Sequence, residues 1–292
     1  MNHQKFQNFR NGPNNYNTDY KKVSEIDFFW TQYYRNIANG TKHKIEKESM
    51  VFTSSNTPYH LSQSEQLEFN QSNQSISIER SGPGGDIQPL NDFEELKTKI
   101  PLFCSENINR IGYVVPTPIQ RHSIPLALAK YDLMCCSQTG SGKTFSFLLP
   151  MISLLTDSMN SFDEARLPDE PPGIYPKCLI LAPTRELANQ IFLEAKKICF
   201  KSLLNPVVVY GGSDIKDQFY KLALGCDILV ATPGRLIDIY DKGILSFRKI
   251  SFLILDEADR MLDMGFEVCN YPFCPFFSHF FSSLTFFIIL PI

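Results

Sequence analysis

Five short runs of almost uninterrupted apolar residues constrain the fold of this 292-residue chain more than any other feature. The runs lie at 133–136, 178–182, 206–210, 227–231 and 251–255. A strand that is apolar on both faces needs cover on both, and parallel sheets obtain it from flanking helices. The intervening stretches have helical periods, and one of them carries an apolar stripe of Leu187, Ile191, Ala195 and Ile198. The chain is therefore predicted to be an α/β protein with a parallel sheet.

The N-terminal part of the chain has a different composition, because 27 of its first 80 residues are Asn, Gln or Ser. Such a segment cannot bury enough apolar surface to offset its ordering entropy, so residues 1–90 are predicted to be disordered. The aromatic cluster DFFWTQYYRNI at 27–37 interrupts this region. We interpret the cluster either as a motif for protein partners or as a sticky patch in a flexible tail.

Charge and cysteine content limit the functional classes. A net charge of −3 gives no overall basic excess, so any contact with nucleic acid must come from a local groove. The eight cysteines form no C-x-x-C pair, and the polar N-terminus has no secretory signal. Both features indicate reduced thiols in an intracellular protein.

The segment SQTGSGKT follows the first apolar run and precedes a helical pattern. Glycines let a loop fold tightly enough for successive N–H groups to point at phosphate oxygens, and a following helix adds its dipole. Lys143 would bring positive charge to the β and γ phosphates, and the Thr144 hydroxyl would bind magnesium. The whole loop is therefore predicted to bind a nucleotide, through Ser137, Gln138, Thr139, Gly140, Ser141, Gly142, Lys143 and Thr144. An ordinary Gly-Ser turn is the alternative.

The last apolar run ends in the acidic sequence DEAD at 256–259. Parallel-sheet enzymes carry their acids at the carboxyl ends of buried strands. Asp256 is suited to bind magnesium, and Glu257 to position and activate an attacking water. Together with Lys143, these two acids are the predicted catalytic residues, whereas an acidic helix cap is the alternative interpretation.

Four further motifs accompany the phosphate loop and the acids: GYVVPTPIQ (112–120), PTRELA (183–188), GG (211–212) and TPGR (232–235). In this order they resemble the motifs of the DEAD-box ATP-dependent RNA helicases, closest to the Vasa and Belle group. The resemblance covers roughly residues 91–267. It implies a RecA-like P-loop NTPase domain that uses ATP and Mg²⁺.

The resemblance also implies roles for residues outside the phosphate loop. Gln120 would pair with the adenine edge, and Phe93 would stack on the base. The RNA-binding residues would be Pro183, Thr184, Arg185, Gly211, Gly212, Thr232, Gly234 and Arg235. Their grip would follow the backbone of single-stranded or locally duplex RNA with weak sequence preference. We expect a cytoplasmic protein, with the nucleus or RNA granules as alternatives.

The chain departs from this family after Glu267. The family continues with a Ser-Ala-Thr motif and a second RecA-like domain that supplies arginine fingers, and neither follows Asp259 here. Residues 268–292 contain no Asp, Glu, Lys or Arg but seven Phe and three Pro. Three interpretations are open: a membrane tail anchor, a divergent strand and helix that complete the sheet, or translated sequence not selected for folding, such as a gene-model error.

We favour the third interpretation of the tail, because its composition breaks abruptly with the preceding sequence. A membrane anchor is disfavoured since the cleanest apolar run, LTFFIILPI, is far shorter than the ~20 residues of a spanning helix. We thus expect a first RecA-like domain at 91–267 that is incomplete at its C-terminal side.

Two functional hypotheses follow. The first is an ATP-dependent RNA helicase, and the second is a non-hydrolysing fragment that binds nucleotide or RNA and competes for partners. A P-loop ATPase acting on DNA or protein is a third, but it does not account for PTPIQ, PTRELA and TPGR together.

Overall fold

The computed structural model describes residues 24–40, 51, 76–161, 171–266 and 285–291. The strands are β1 Leu133–Ser137, β2 Cys178–Leu181, β3 Pro206–Val209, β4 Ile228–Ala231, β5 Phe252–Leu255 and β6 Thr285–Pro291. The α-helices are α1 Glu25–Ala38, α2 Leu102–Ile111, α3 Pro118–Leu128, α4 Lys143–Ser161, α5 Arg185–Ile198, α6 Ile215–Ala223, α7 Pro233–Asp241 and α8 Ala258–Asp263. A short 3-10 helix spans Phe93–Leu96.

These strands form one parallel sheet in the order β1-β6-β5-β2-β4-β3. The five apolar runs all become strands, with ends within one residue of the prediction. Strands β2 to β5 are buried along their whole length, as expected for a sheet covered on both faces. The prediction of a parallel α/β fold is confirmed.

Alternate residues of each central strand enter two separate cores. In β2, Ile180 belongs to the first core, which is formed with α4 and α5, whereas Leu179 belongs to the second core, which is formed with α6 and α7. In β4, Val230 and Leu229 divide in the same way. The period-2 alternation of a strand therefore produces a three-layer arrangement with the sheet in the middle.

The C-terminal tail contributes a strand that the favoured interpretation did not expect. Strand β6 lies between β1 and β5 and pairs in parallel with both, so that Ile288 is opposite Met134 on one side and Leu255 on the other. For these residues the structure agrees with the alternative of a divergent strand that completes the sheet. The physical reason is that β1 and β5 would otherwise leave backbone groups unpaired inside the sheet.

The predicted disorder of residues 1–90 is wrong for two segments. Residues 25–38 form helix α1, and residues 76–90 are an irregular segment tied down where the Leu90 N–H donates to the carbonyl of Arg121 at 2.8 Å. Of the remaining residues predicted to be disordered, all except Ser24, Asn39, Gly40 and Val51 lie outside the described residues. No helix in the described part of the chain is long and apolar enough to cross a membrane.

Helix α1 packs on α6 through aromatic residues of the cluster at 27–37. Phe29 is fully buried, and its ring meets that of Phe219 at a centroid distance of 5.7 Å. The Asn36 amide donates to the carbonyl of Ala223 at 3.0 Å, and Glu25 pairs with the Lys242 amine at 3.1 Å. The cluster is thus part of the second core, because helical spacing gathers its aromatic rings on one face.

We expect Phe29→Ala to lower the free energy of unfolding by about 3–5 kcal/mol, because it leaves a cavity against Phe219. Urea unfolding followed by circular dichroism measures this change. Ile37→Ala on the same helix is the matched control, since Ile37 is 54% exposed and exposed substitutions change stability by no more than about 0.5 kcal/mol. Equal effects of both substitutions would contradict the packing of α1 on α6.

Candidate nucleotide-binding site and adjoining cavity

The predicted phosphate loop connects the carboxyl end of β1 to the first residue of α4. Gly140 and Gly142 have φ values of 77° and 88°, a region that other residues seldom adopt. The hydroxyls of Ser137 and Ser141 are 2.7 Å apart across the base of the loop. The backbone thus has the strand, tight turn and helix N-terminus that anion binding requires.

Lys143 is folded back onto this loop and is only 9% exposed. Its amine donates to the carbonyl oxygens of Ser137 and Gln138, the latter at 3.1 Å. Neutral carbonyls are weaker partners for an ammonium group than phosphate oxygens are. The amine can therefore exchange these two contacts for a phosphate without leaving the loop.

Gln120 ties helix α3 to the phosphate loop. Its side-chain oxygen accepts from the Thr117 N–H at 3.0 Å in a capping box, and its amide nitrogen donates to the Gly142 carbonyl at 3.2 Å. A Cβ atom at Gly142 would lie 2.5 Å from this nitrogen, so a side chain there would displace the Gln120 amide as well as strain the backbone at its φ of 88°. The tie was not foreseen from the sequence, and the adenine-reading role of Gln120 stays a prediction.

The structure places Phe93 in the first core, where it is 6% exposed. Its ring packs edge-on against Phe145 of α4 at 5.8 Å, and Tyr113 packs on the same Phe145 ring at 4.4 Å. Stacking on a base needs an accessible ring face, which this packing does not favour for Phe93. Phe93 thus packs behind the phosphate loop against Phe145, and its stacking on the base stays a prediction.

The predicted acids lie at the carboxyl end of β5, where the Asp256 N–H donates to the Leu181 carbonyl of β2 at 2.9 Å. Asp256 is 4% exposed. Burial, and secondly the charge of Glu257, raise the pKa of Asp256 from its ordinary 3.8 to about 6, while Lys143 opposes the rise. The Lys143 ammonium and the Asp256 carboxylate therefore interact electrostatically within one site.

Glu257 adopts a left-handed backbone conformation, with φ 50° and ψ 50°. Such a conformation costs a residue with a side chain on the order of 1 kcal/mol and is concentrated at functional sites. The Glu257 carboxylate accepts from the Arg260 guanidinium at 3.1 Å, one turn along α8. One carboxylate oxygen of Asp259 is buried without a hydrogen-bond partner among the described residues.

Magnesium fits the donors at this site. Mg²⁺ is held by one or two protein oxygens together with substrate phosphates, rather than by an all-protein cage. The Asp256 carboxylate and the Thr144 hydroxyl offer such oxygens. The donor set therefore suits a metal shared with a nucleotide.

A cavity of about 520 Å³ opens where β2, β3 and β4 end. Six of the eight predicted RNA-binding residues line it: Pro183, Arg185, Gly211, Thr232, Gly234 and Arg235. Thr184 instead caps α5, with its hydroxyl accepting from the Leu187 N–H at 3.3 Å. The Gly212 carbonyl accepts from the guanidinium of Arg185 at 3.5 Å. The structure thus gathers at one sheet edge motifs that are far apart in sequence.

The match to a known family covers residues 117–269, a segment that contains the phosphate loop, the acids and the cavity, and its description reads DEAD/DEAH box helicase. The chain belongs to this family. It is 49% identical over 180 residues to the probable ATP-dependent RNA helicase ddx3 of Dictyostelium discoideum. That match covers 61% of this DEAD/DEAH box chain and 25% of the relative, so the chain spans about a quarter of the relative's length.

Solved structures give the same fold for this DEAD/DEAH box chain. The RNA-helicase Prp28 from Chaetomium thermophilum bound to ADP has a TM-score of 0.57 and 37% identity, over 71% of this chain and 47% of that one. Yeast Prp28 has a TM-score of 0.58 and 30% identity, over 80% and 52%. A DEAD box protein from Methanococcus jannaschii has a TM-score of 0.51 and 32% identity, over 69% and 50%. The expected RecA-like fold is confirmed.

We expect Asp256→Asn to change how stability depends on pH. The pKa of Asp256 is raised from 3.8 to about 6. The protonated carboxyl therefore contributes its full stabilisation to the folded state below about pH 4, and this stabilisation is lost as the pH rises through about 6. The stability of Asp256→Asn relative to the unmodified chain should therefore increase by about 2 kcal/mol between pH 4 and pH 7. Urea unfolding at both pH values measures the difference.

The matched control for this prediction is Asp241→Asn, which alters an exposed carboxylate at the end of α7. We expect it to change stability by no more than about 0.5 kcal/mol at either pH. A pH-independent difference between Asp256→Asn and the unmodified chain would contradict the raised pKa of Asp256.

Proposed function

We propose that this chain binds ATP with Mg²⁺ and grips the backbone of single-stranded RNA as part of an ATP-dependent RNA helicase. One observation carries the proposal: the phosphate loop, the buried Asp256 and the arginine-lined cavity all lie along the carboxyl edge of one parallel sheet. Ligands of open α/β sheets bind at this edge. The names of the Dictyostelium relative and of the Chaetomium Prp28 support the same assignment.

In the proposed ATP complex, the Lys143 amine leaves its two loop carbonyls for phosphate oxygens, and the loop N–H groups bind the same phosphates. The Thr144 hydroxyl and the Asp256 carboxylate would hold the metal. Bound Mg²⁺ would neutralise charge on the β and γ phosphate oxygens. Gln120 holds the loop against the N-terminus of α3 through its hydrogen bond to the Gly142 carbonyl.

Glu257 is the residue proposed to orient the attacking water. Its left-handed backbone departs from the extended conformation of strand β5, and the Arg260 guanidinium lies 3.1 Å from one carboxylate oxygen. The carboxylate therefore has a fixed position and retains acceptor capacity for a water. Asp256 has a different part, because it is buried and bonded to the backbone of its neighbour.

The cavity is proposed to bind RNA through sugar and phosphate groups. Arg185 and Arg235 supply charge, and the glycines allow close approach of the backbone. These groups read no base, so single strands and locally duplex segments are both substrates with weak sequence preference. Such substrates fit a cytoplasmic protein, or one that enters the nucleus or RNA granules.

A second candidate function is a non-hydrolysing module that binds nucleotide or RNA. The observation that favours it is that the Lys143 amine is bonded to carbonyl oxygens of its own loop, those of Ser137 and Gln138. Hydrolysis requires this amine to act on a nucleotide. An ATPase assay on the 292-residue chain separates the two candidates, since measurable turnover excludes the second.

We expect Lys143→Ala to weaken binding of a fluorescent ATP analogue about tenfold or more, because a charge-assisted contact to phosphate is lost. Glu257→Gln should leave this affinity within about twofold but remove RNA-stimulated hydrolysis, because water orientation is a transition-state function. Lys99→Ala, at an exposed lysine, is the matched control. Hydrolysis that is equal with and without RNA would count against a helicase.

We expect Arg235→Gln and Arg185→Gln each to weaken binding of single-stranded RNA to a similar extent for all sequences. Each should also reduce the slope of log affinity against log salt by about 0.7, the value for one phosphate contact on a single strand. Fluorescence anisotropy at several salt concentrations measures both quantities. Arg110→Gln is the control, since Arg110 pairs with Glu106 and does not line the cavity. An unchanged slope in both cavity variants would refute the assignment.

A further inference from the structure

Gln218 of α6 is a buried polar residue that no motif singled out, and it is only 5% exposed. Its side-chain oxygen accepts from the N–H of Tyr210 at 3.0 Å. Its amide nitrogen donates to the carbonyl of the same Tyr210 at 3.0 Å and also to the Ser213 hydroxyl. One amide therefore binds both ends of the segment 210–213, which contains the two glycines of the GG motif.

This arrangement extends the hydrogen bonding of β3 beyond its last residue, Val209. The Gln218 amide offers Tyr210 the same donor and acceptor pair that a neighbouring strand would offer. The chain then turns through Gly211 and Gly212 and returns to Ser213, where the same amide holds the other end. A side chain of this length and polarity thus fixes a turn that lies outside the sheet.

The fixed segment in turn holds both arginines of the cavity. The Arg185 guanidinium lies 5.6 Å from the centroid of the Tyr210 ring and donates to the Gly212 carbonyl at 3.5 Å. The Arg235 guanidinium donates to the Ser213 carbonyl at 3.5 Å. If the segment moved, both guanidinium groups would lose these contacts.

We infer that Gln218 is a positioning residue for the RNA surface: it holds the 210–213 segment so that Arg185 and Arg235 face the same cavity. It contacts no RNA itself. The inference rests on the proposed RNA-binding function for its consequence in affinity, but the positioning of the segment is a separate property. Volume alone does not require glutamine at this position, because methionine fills the same space without the three hydrogen bonds.

The test compares Gln218→Met with Gln190→Met in the 292-residue chain. Gln190 is an exposed glutamine of α5, so its substitution reports the effect of the residue change alone. Gln218→Met should weaken binding of a fluorescein-labelled oligouridine about tenfold, because it leaves buried backbone groups unpaired. Affinity for a fluorescent ATP analogue should stay within about twofold, and Gln190→Met should change neither affinity.

A second readout does not depend on RNA. Amide hydrogen exchange at Tyr210 should become about tenfold faster in Gln218→Met, since its N–H loses its acceptor, and should be unchanged in Gln190→Met. Exchange at Ile180 in the sheet centre should be the same in all three proteins. A general loss of protection, or equal weakening of RNA and nucleotide binding, would overturn the inference in favour of a purely structural role.

The two readouts separate this inference from the proposed function. If the unmodified chain binds no oligouridine, the proposed RNA binding fails, and exchange at Tyr210 alone decides whether Gln218 holds the segment. If exchange at Tyr210 is unchanged by Gln218→Met, the inference fails even where RNA binding is present.

Discussion

The parallel alignment of β1 and β5 is the constraint on which the rest of the site depends. Because parallel strands end at the same sheet edge, the phosphate loop after Ser137 and the acid after Leu255 meet although more than a hundred residues separate them. Lys143 accordingly opposes the rise in the pKa of Asp256. Strand β6, which lies between the two, sets the distance across which these groups act.

Two buried glutamines each tie a helix to a loop at the carboxyl edge of the sheet. Gln120 ties the N-terminus of α3 to the phosphate loop, and Gln218 ties α6 to the segment that carries the GG motif. Each uses both the oxygen and the nitrogen of its amide on backbone groups. Loops cannot be fixed by apolar packing alone, since their own N–H and C=O groups need partners. A glutamine amide supplies both kinds at once.

The site carries energetic costs that the two cores offset. Asp256 is a buried carboxyl group whose charge is disfavoured, and Glu257 has a left-handed backbone. Both features reduce stability but provide an acid and a carboxylate in fixed positions beside the phosphate loop. Apolar packing on both faces of the sheet, extended by Phe29 of α1 against Phe219, supplies the compensating stability.

The sequence by itself determined the five strands, the phosphate loop and the acids at 256–259, because each depends on local periodicity or on adjacent residues. Only the tertiary structure decided that α1 joins the second core, that β6 enters the sheet, that Phe93 is buried and that Gln218 holds the 210–213 segment. Composition suggested disorder for the segment that forms α1 and an unselected tail for the segment that forms β6. Their contacts join residues far apart in the chain, and such pairings are set by the packing of the whole domain rather than by any local pattern.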